Sequence, residues 1–157
     1  MLALIAATFI ATAPQTHMRP ILLDCTIVEA TGADVSKWYP SNVVVDEDRV
    51  IRDGFTTGLV GFIVRPPSTW LLDHQAQKIT TPEESSASYP VDEWSPAVVT
   101  GRYTAPAGSW FTFRYNRINK RLTLTSAPTQ DMRQEWKDTT GGEMPMIISR
   151  VQRCSEV

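Results

Sequence analysis

The sequence predicts a mainly β (all-β) domain, either an antiparallel small barrel or a meander of about seven to eight strands, with one short helix near the C-terminus. Three observations lead to this prediction. Apolar residues mostly alternate with polar ones, turn residues interrupt the chain at irregular intervals, and one cysteine stands near each end of the chain. Alternation with a period of two is typical of strands that bury one face.

The length and composition indicate one globular unit. A chain of 157 residues can bury one core, and its hydrophobic share of 42% and charged share of 20% are ordinary for a folded domain. We therefore assign residues 20–157 to a single β domain. The net charge is only -2, so no global field attracts the protein to phosphate backbones, and we expect no nucleic-acid partner.

The N-terminal segment predicts export. Residues 2–13 form an uncharged apolar run that ends in Ala11-Thr12-Ala13, a small-x-small pattern typical of signal-peptide cleavage sites. We expect residues 1–19 to be a signal peptide and flexible N-terminus, and the protein to be periplasmic or extracellular. The run is too short to span a bilayer comfortably, so no stable membrane span is expected unless the segment stays uncleaved. Because no basic residue precedes the run and Pro14 follows it, a buried first strand or helix remains the alternative.

The two cysteines, Cys25 and Cys154, predict one disulfide in an oxidising compartment. Such a bond ties the first strand to the last, which favours a closed, barrel-like sheet over an open meander or a sandwich. The alternative is a pair of unrelated thiols in a cytosolic protein.

The first half of the chain contains several strand signals. Residues 21–27 alternate apolar and polar side chains and place Cys25 on the buried face. Two valine-rich runs flank residues 46–49, a polar tetrapeptide that predicts the tip of a hairpin. Residues 59–64 form a further apolar run, which stops before Pro66-Pro67 because proline cannot continue a strand ladder.

The second half contains the clearest hairpin. Residues 80–96 are rich in Ser, Thr, Pro and acidic residues and predict a long surface loop. Strand character resumes at residues 97–103, and residues 111–125 predict a hairpin with a polar connection. Met132 and Trp136 lie four residues apart, which predicts a short helix over residues 131–138, and residues 146–151 predict the last strand.

No motif for catalysis, metal binding or cofactor binding stands out. Asp73-His74 has no accompanying Gly-x-Ser-x-Gly element, and the acidic residues 46–48 lack the ligand spacing of an EF-hand. Glu83, Glu84, Asp92 and Glu93 are read as residues that keep a loop soluble. We therefore expect no catalytic residue, no metal ion and no cofactor.

Basic and aromatic side chains are the candidates for recognition. The predicted hairpin carries a basic patch beside Tyr115, formed by Arg114, Arg117, Lys120 and Arg121. Several tryptophans stand at loop edges, where half-exposed rings suit sugar or protein contacts. The alternative is that these rings plug the ends of a small barrel. Trp94, in the predicted long loop, is the foremost candidate. The full set of possible binding residues is Trp94, Trp38, Arg114, Tyr115 and Arg117.

Two functions remain open. The first is an exported non-catalytic β module that binds a protein, a glycan or a cell-envelope component. The alternative is a lipocalin-like carrier of small ligands, or a small hydrolase, with its site in the mouth of the barrel. A carrier requires a cavity lined by Val60, Phe62, Phe111 and Phe113, whereas a binding module has these side chains packed together.

Overall fold

The computed structural model describes residues 19–53 and 64–157, and there the chain forms a closed antiparallel barrel of eight strands in sequential order. The mainly β prediction with one helix near the C-terminus is confirmed. The strands are β1 (Ile21–Thr31), β2 (Thr69–Asp73), β3 (Lys78–Thr81), β4 (Glu84–Trp94), β5 (Val98–Thr104), β6 (Trp110–Asn116), β7 (Arg121–Ala127) and β8 (Ile148–Glu156). The helices are a 3₁₀ helix (Val35–Trp38), α1 (Glu47–Asp53) and α2 (Gln130–Thr140). The predicted signal peptide, apart from residue 19, and the apolar run at 59–63 lie outside the described residues.

The barrel closes where β1 pairs with β8, and the predicted disulfide between Cys25 and Cys154 crosses this pair. The Cys25 N–H donates to the carbonyl of Ser68 (2.7 Å), and the Cys154 N–H donates to that of Lys120 (2.8 Å). The cysteines thus form a non-hydrogen-bonded pair, the arrangement in which opposed residues of antiparallel strands lie closest. Their Cα atoms are 4.1 Å apart, and the disulfide joins the two strands directly.

Alternate residues of the strands fill the barrel. Because eight strands enclose a space just wide enough for side chains, the inward-facing residues pack against one another. We call this set the barrel core; its buried members are Leu23, Cys25, Trp70, Leu72, Ile79, Val99, Phe111, Phe113, Tyr115, Leu122, Leu124 and Cys154.

The two ends of the barrel differ in their connections. In a sequential antiparallel barrel, successive connections alternate between the ends. One end, here called the turn end, has the short connections at residues 74–77, 95–97 and 117–120. The opposite end, here called the crossover end, has the two long connections, residues 32–68 and 128–147.

A second cluster, the crossover core, forms between the two long connections and the start of β8; its buried members are Ala33, Trp38, Tyr39, Val50, Val64, Trp136, Met144 and Ile148. The indole N–H of Trp38 donates to the carbonyl of Gly32 (2.7 Å), and that of Trp136 donates to the carbonyl of Trp38 (2.9 Å). A Cβ atom at Gly142 would lie 1.8 Å from the carbonyl oxygen of Trp38, so only glycine fits where the chain leaves α2.

The hairpin predicted around residues 46–49 is wrong, because these residues begin a helix. The Asp46 carboxylate accepts the backbone N–H of Arg49 (2.7 Å), which caps the first turn of α1. Val50 then packs in the crossover core with no exposed surface. The aspartate that suggested a turn acts here as a helix cap.

The long loop predicted over residues 80–96 is also wrong, because most of it forms β4. This strand pairs with β3 on one side and with β5 on the other. Tyr89 and Val91 pack against the barrel core, while polar side chains such as Ser88 and Asp92 are exposed. Because the outer face of β4 is solvated, the strand has a composition that resembles that of a loop.

Candidate binding surface

Trp94 and Arg117, two of the predicted contact residues, both lie at the turn end. Trp94 is the last residue of β4, and Arg117 opens the connection between β6 and β7. The backbone N–H of Arg117 donates to the carbonyl of Ala97 (2.9 Å), and Nη1 of its guanidinium lies 3.4 Å from the carbonyl of Ser95. The indole and the guanidinium therefore flank the same short turn.

A register shift in β4 sets the orientation of Trp94. Val91 pairs with Gly101 and Glu93 pairs with Thr100, so β4 has one extra residue between these pairs. Such a bulge redirects the side chains that follow it. As a result, Trp94 lies opposite Val99 and packs partly against the barrel core. The alternation of apolar and polar residues in the sequence does not indicate this bulge.

The turn beside Trp94 is held by its own hydrogen bonds. The Ser95 N–H donates to the carbonyl of Val98 (2.8 Å), and the Ser95 hydroxyl oxygen accepts the N–H of Val98 (3.0 Å). The His74 ring packs edge-on against the Trp94 ring, with centroids 5.0 Å apart. Within the described residues, the shielded indole N–H of Trp94 has no hydrogen-bond partner. The turn end thus combines a half-buried aromatic ring, held by the barrel core and His74, with the Arg117 guanidinium at the same turn.

Tyr115 lies beneath this surface rather than on it. Its ring is fully buried, and its hydroxyl donates to Oε1 of Glu156 (3.1 Å), which also accepts from Nζ of Lys120 (2.7 Å). Burial, together with the Glu156 charge, raises the pKa of Tyr115, whereas the Lys120 hydrogen bond holds the pKa of Glu156 below its usual value. Tyr115 is therefore a neutral donor that holds the last strand.

The predicted basic patch is divided by ion pairs. Lys120 pairs with Glu156, and Arg121 pairs with Glu29 at 2.8 Å. Arg114 is exposed on the outer wall of β6, between Thr100 and Thr123, and does not belong to the turn end. Of the four basic residues, only Arg117 lies beside Trp94.

The prediction that Trp38 has a half-exposed ring is wrong. Trp38 is 1% exposed and packs edge-on against Trp136 in the crossover core, with centroids 5.8 Å apart. Trp110 does keep a half-buried ring on the outer wall, where the Arg102 guanidinium lies 5.1 Å from its centroid. The sequence indicates only that Trp38 lies in a connection. In the folded protein, α2 packs over that connection and buries the ring.

Two of the acidic residues considered for chemistry, Asp73 and Glu83, have structural roles. Asp73 accepts the N–H of Ala76 (3.0 Å) and closes the turn that follows β2. Glu83 accepts the Ser68 hydroxyl (2.7 Å) and the N–H of Thr69 (3.0 Å). Burial alone would raise the pKa of Glu83, but the hydrogen bonds from Ser68 and Thr69 outweigh burial and hold the pKa below its usual value.

The described ranges contain no group of three or more His, Cys, Asp or Glu side chains that could hold a metal ion. Among the helices of residues 19–53 and 64–157, none has the length and apolar character needed to cross a membrane. Comparison of the chain with protein-family models, with curated proteins and with solved structures finds no match.

Proposed function

We propose that this protein is an exported, non-catalytic β-barrel module that binds a protein, a glycan or a cell-envelope component through its turn end. The observation that carries the proposal is that Trp94 and Arg117 lie at the same turn, which is closed by its own hydrogen bonds. A rigid aromatic ring beside a cation contributes a large contact area with little loss of conformational entropy, which is typical of binding hot spots.

The packing of the barrel core favours this module over a carrier. Phe111 and Phe113 are 2% and 1% exposed, and they contact Tyr89 and Trp70 through ring pairs 5.2 Å apart. Side chains in such contact leave no room for a ligand between them. Val60 and Phe62, the other residues considered for a cavity, lie outside the described residues.

Export is supported by the disulfide, because such bonds persist mainly in oxidising compartments. Non-reducing mass spectrometry of the periplasmic and extracellular fractions tests this part of the proposal. We expect an oxidised chain that lacks the N-terminal segment. A full-length chain with two free thiols in the cytosol would contradict export.

Binding is tested by co-sedimentation of the purified oxidised protein with insoluble envelope polysaccharides and peptidoglycan, and by surface plasmon resonance with purified envelope proteins. Trp94→Ala should weaken binding at least about tenfold. Trp110→Ala is the matched control, because it removes a half-buried tryptophan from the outer wall.

Since Trp94 also packs on the barrel core, Arg117→Gln provides a second variant that leaves the ring in place, and thermal unfolding checks that each variant folds. The proposal is contradicted if Trp110→Ala weakens binding as much as Trp94→Ala, or if Arg117→Gln has no effect.

A further inference from the structure

The polar face of α2 borders a pocket at the crossover end, here called the helix pocket. Gln130, Arg133, Gln134 and Lys137 follow the helical spacing that places side chains on one face, and the chain returns past them at Glu143 and Met144. These residues enclose about 270 Å³. This volume is below that of pockets for drug-sized ligands and suits one small functional group.

Arg133 lines this pocket and carries an unused donor. Its Nε is shielded from solvent and, in the part of the chain that the structure describes, has no hydrogen-bond acceptor. A buried N–H without an acceptor is rare in folded proteins, so an acceptor at this position is expected.

The charges at the pocket favour a singly charged anion. Lys137 pairs with Glu143 at 3.1 Å, which leaves the Arg133 guanidinium as the uncompensated charge of the lining. A guanidinium binds a carboxylate through two parallel hydrogen bonds. A phosphate dianion would instead leave a negative charge beside Glu143.

We propose that this helix pocket binds a carboxylate group, with the Arg133 guanidinium as its donor and Met144, which is 5% exposed, as an apolar floor. The helix pocket lies at the crossover end and shares no residue with the turn end, so this site goes beyond the proposed function and is independent of it. The carboxylate can belong to an acidic side chain of a peptide or to a free organic acid.

The test is an NMR titration of the oxidised, ¹⁵N-labelled protein that follows the Nε–H signal of Arg133. The probe is N-acetylglutamate α-amide, and its uncharged counterpart, N-acetylglutamine amide, is the control. We expect a saturable shift with a Kd on the order of millimolar for the carboxylate, no saturable shift for the amide, and weaker binding of inorganic phosphate at equal ionic strength.

Acetate separates the two sources of the carboxylate: equal affinity supports a free acid, and tighter binding of the glutamate probe supports a peptide side chain. Arg133→Gln should abolish the shifts of the backbone signals of Gln134 and Met144, while Arg114→Gln, which alters an exposed arginine of β6, should leave them unchanged.

Lys137→Gln provides a second variant that keeps Arg133, and it should change the affinity for the charged probe only. The proposal is overturned if the uncharged amide gives the same shifts, if phosphate binds more tightly than the carboxylate, or if the Arg133 signal does not respond in the wild-type protein.

Discussion

The barrel core and the crossover core both bury aromatic rings, but they are assembled in different ways. In the barrel core, the strand ladder pairs the backbone and most inward-facing side chains fill space, although the Trp70 indole N–H donates to the Gln152 side chain (3.2 Å). In the crossover core, the indole N–H groups of Trp38 and Trp136 complete the hydrogen bonding of the connections themselves. The barrel core therefore depends mainly on periodic packing, whereas the crossover core also needs side-chain donors for the carbonyl groups of its connections.

The two clusters nevertheless share one device. Each has a buried tyrosine whose hydroxyl donates to a carboxylate that also binds a cation. In the barrel core the residues are Tyr115, Glu156 and Lys120; in the crossover core they are Tyr39, Asp53 and Arg49. Burial, reinforced by the carboxylate, raises the pKa of Tyr39 as it does that of Tyr115.

The largest expected effect comes from removing the disulfide. It closes a loop of 129 residues, so the double variant Cys25→Ser/Cys154→Ser should lose up to about 5 kcal/mol of unfolding free energy on the chain-entropy model. Because β1 and β8 lead directly into the two long connections, both cores should unfold in one transition. Denaturant unfolding followed by near-UV circular dichroism measures this, and a crossover core that outlasts the barrel would contradict it.

Next in size is the loss of a polar contact in the crossover core. Trp136→Phe leaves the carbonyl of Trp38 buried without its donor, which should cost about 1–3 kcal/mol in addition to the lost packing. Phe113→Leu in the barrel core loses packing but removes no polar group, so it should cost less than Trp136→Phe. Urea denaturation of both variants ranks them; the reverse order would refute the proposed difference between the cores.

A smaller effect is expected at the start of α2, which carries Trp136 into the crossover core. The Thr129 hydroxyl oxygen accepts the N–H of Met132 (3.2 Å), so Thr129→Ala should lower the unfolding free energy by about 1 kcal/mol. Thr129→Ser keeps the cap and should stay close to the wild type. Equal losses in the two variants would show that the methyl group, rather than the cap, matters.

The smallest expected effect is a pH dependence that the two tyrosine–carboxylate pairs share. The pKa values of Asp53 and Glu156 lie below their ordinary values of 3.8 and 4.5, mainly because of hydrogen bonds from Arg49 and Lys120. Depressed values mean that their stabilisation is complete above the ordinary pKa and is lost as the pH falls through the folded-state value. Both groups are partly solvated, so the loss is small.

Asp53→Asn and Glu156→Gln should each reduce the fall in melting temperature between neutral pH and about pH 3. Differential scanning calorimetry across this range measures the effect. A variant that melts with the same acid dependence as the wild type would assign the acid sensitivity to other carboxylates.

Predictions from the sequence succeeded where side chains obey a local period. The strand at residues 21–27, the hairpin at 111–125 and the helix near Trp136 were all readable because neighbours along the chain determine which face is buried. The same method failed at residues 46–49 and 80–96. Asp46 suits both a turn and a helix cap, and β4 has a solvated face whose composition resembles that of a loop.

The candidate binding surface was predictable only in part. Trp94 and Arg117 were identified by residue type, yet they are 23 positions apart in the sequence, and their proximity depends on two connections that meet at the turn end. Trp38 and Tyr115 were named with them, but their rings are buried by contacts with distant residues. The helix pocket was missed, because its lining combines one face of α2 with the chain that follows Gly142.

The sequence by itself determined the class of fold and the disulfide, because alternation and the placement of two cysteines are properties of the chain read in order. Tertiary structure alone decided which tryptophans are buried, where the bulge of β4 turns Trp94, and which cations are paired. The physical reason is that burial and pairing depend on residues brought together from distant positions, whereas periodicity depends only on neighbours.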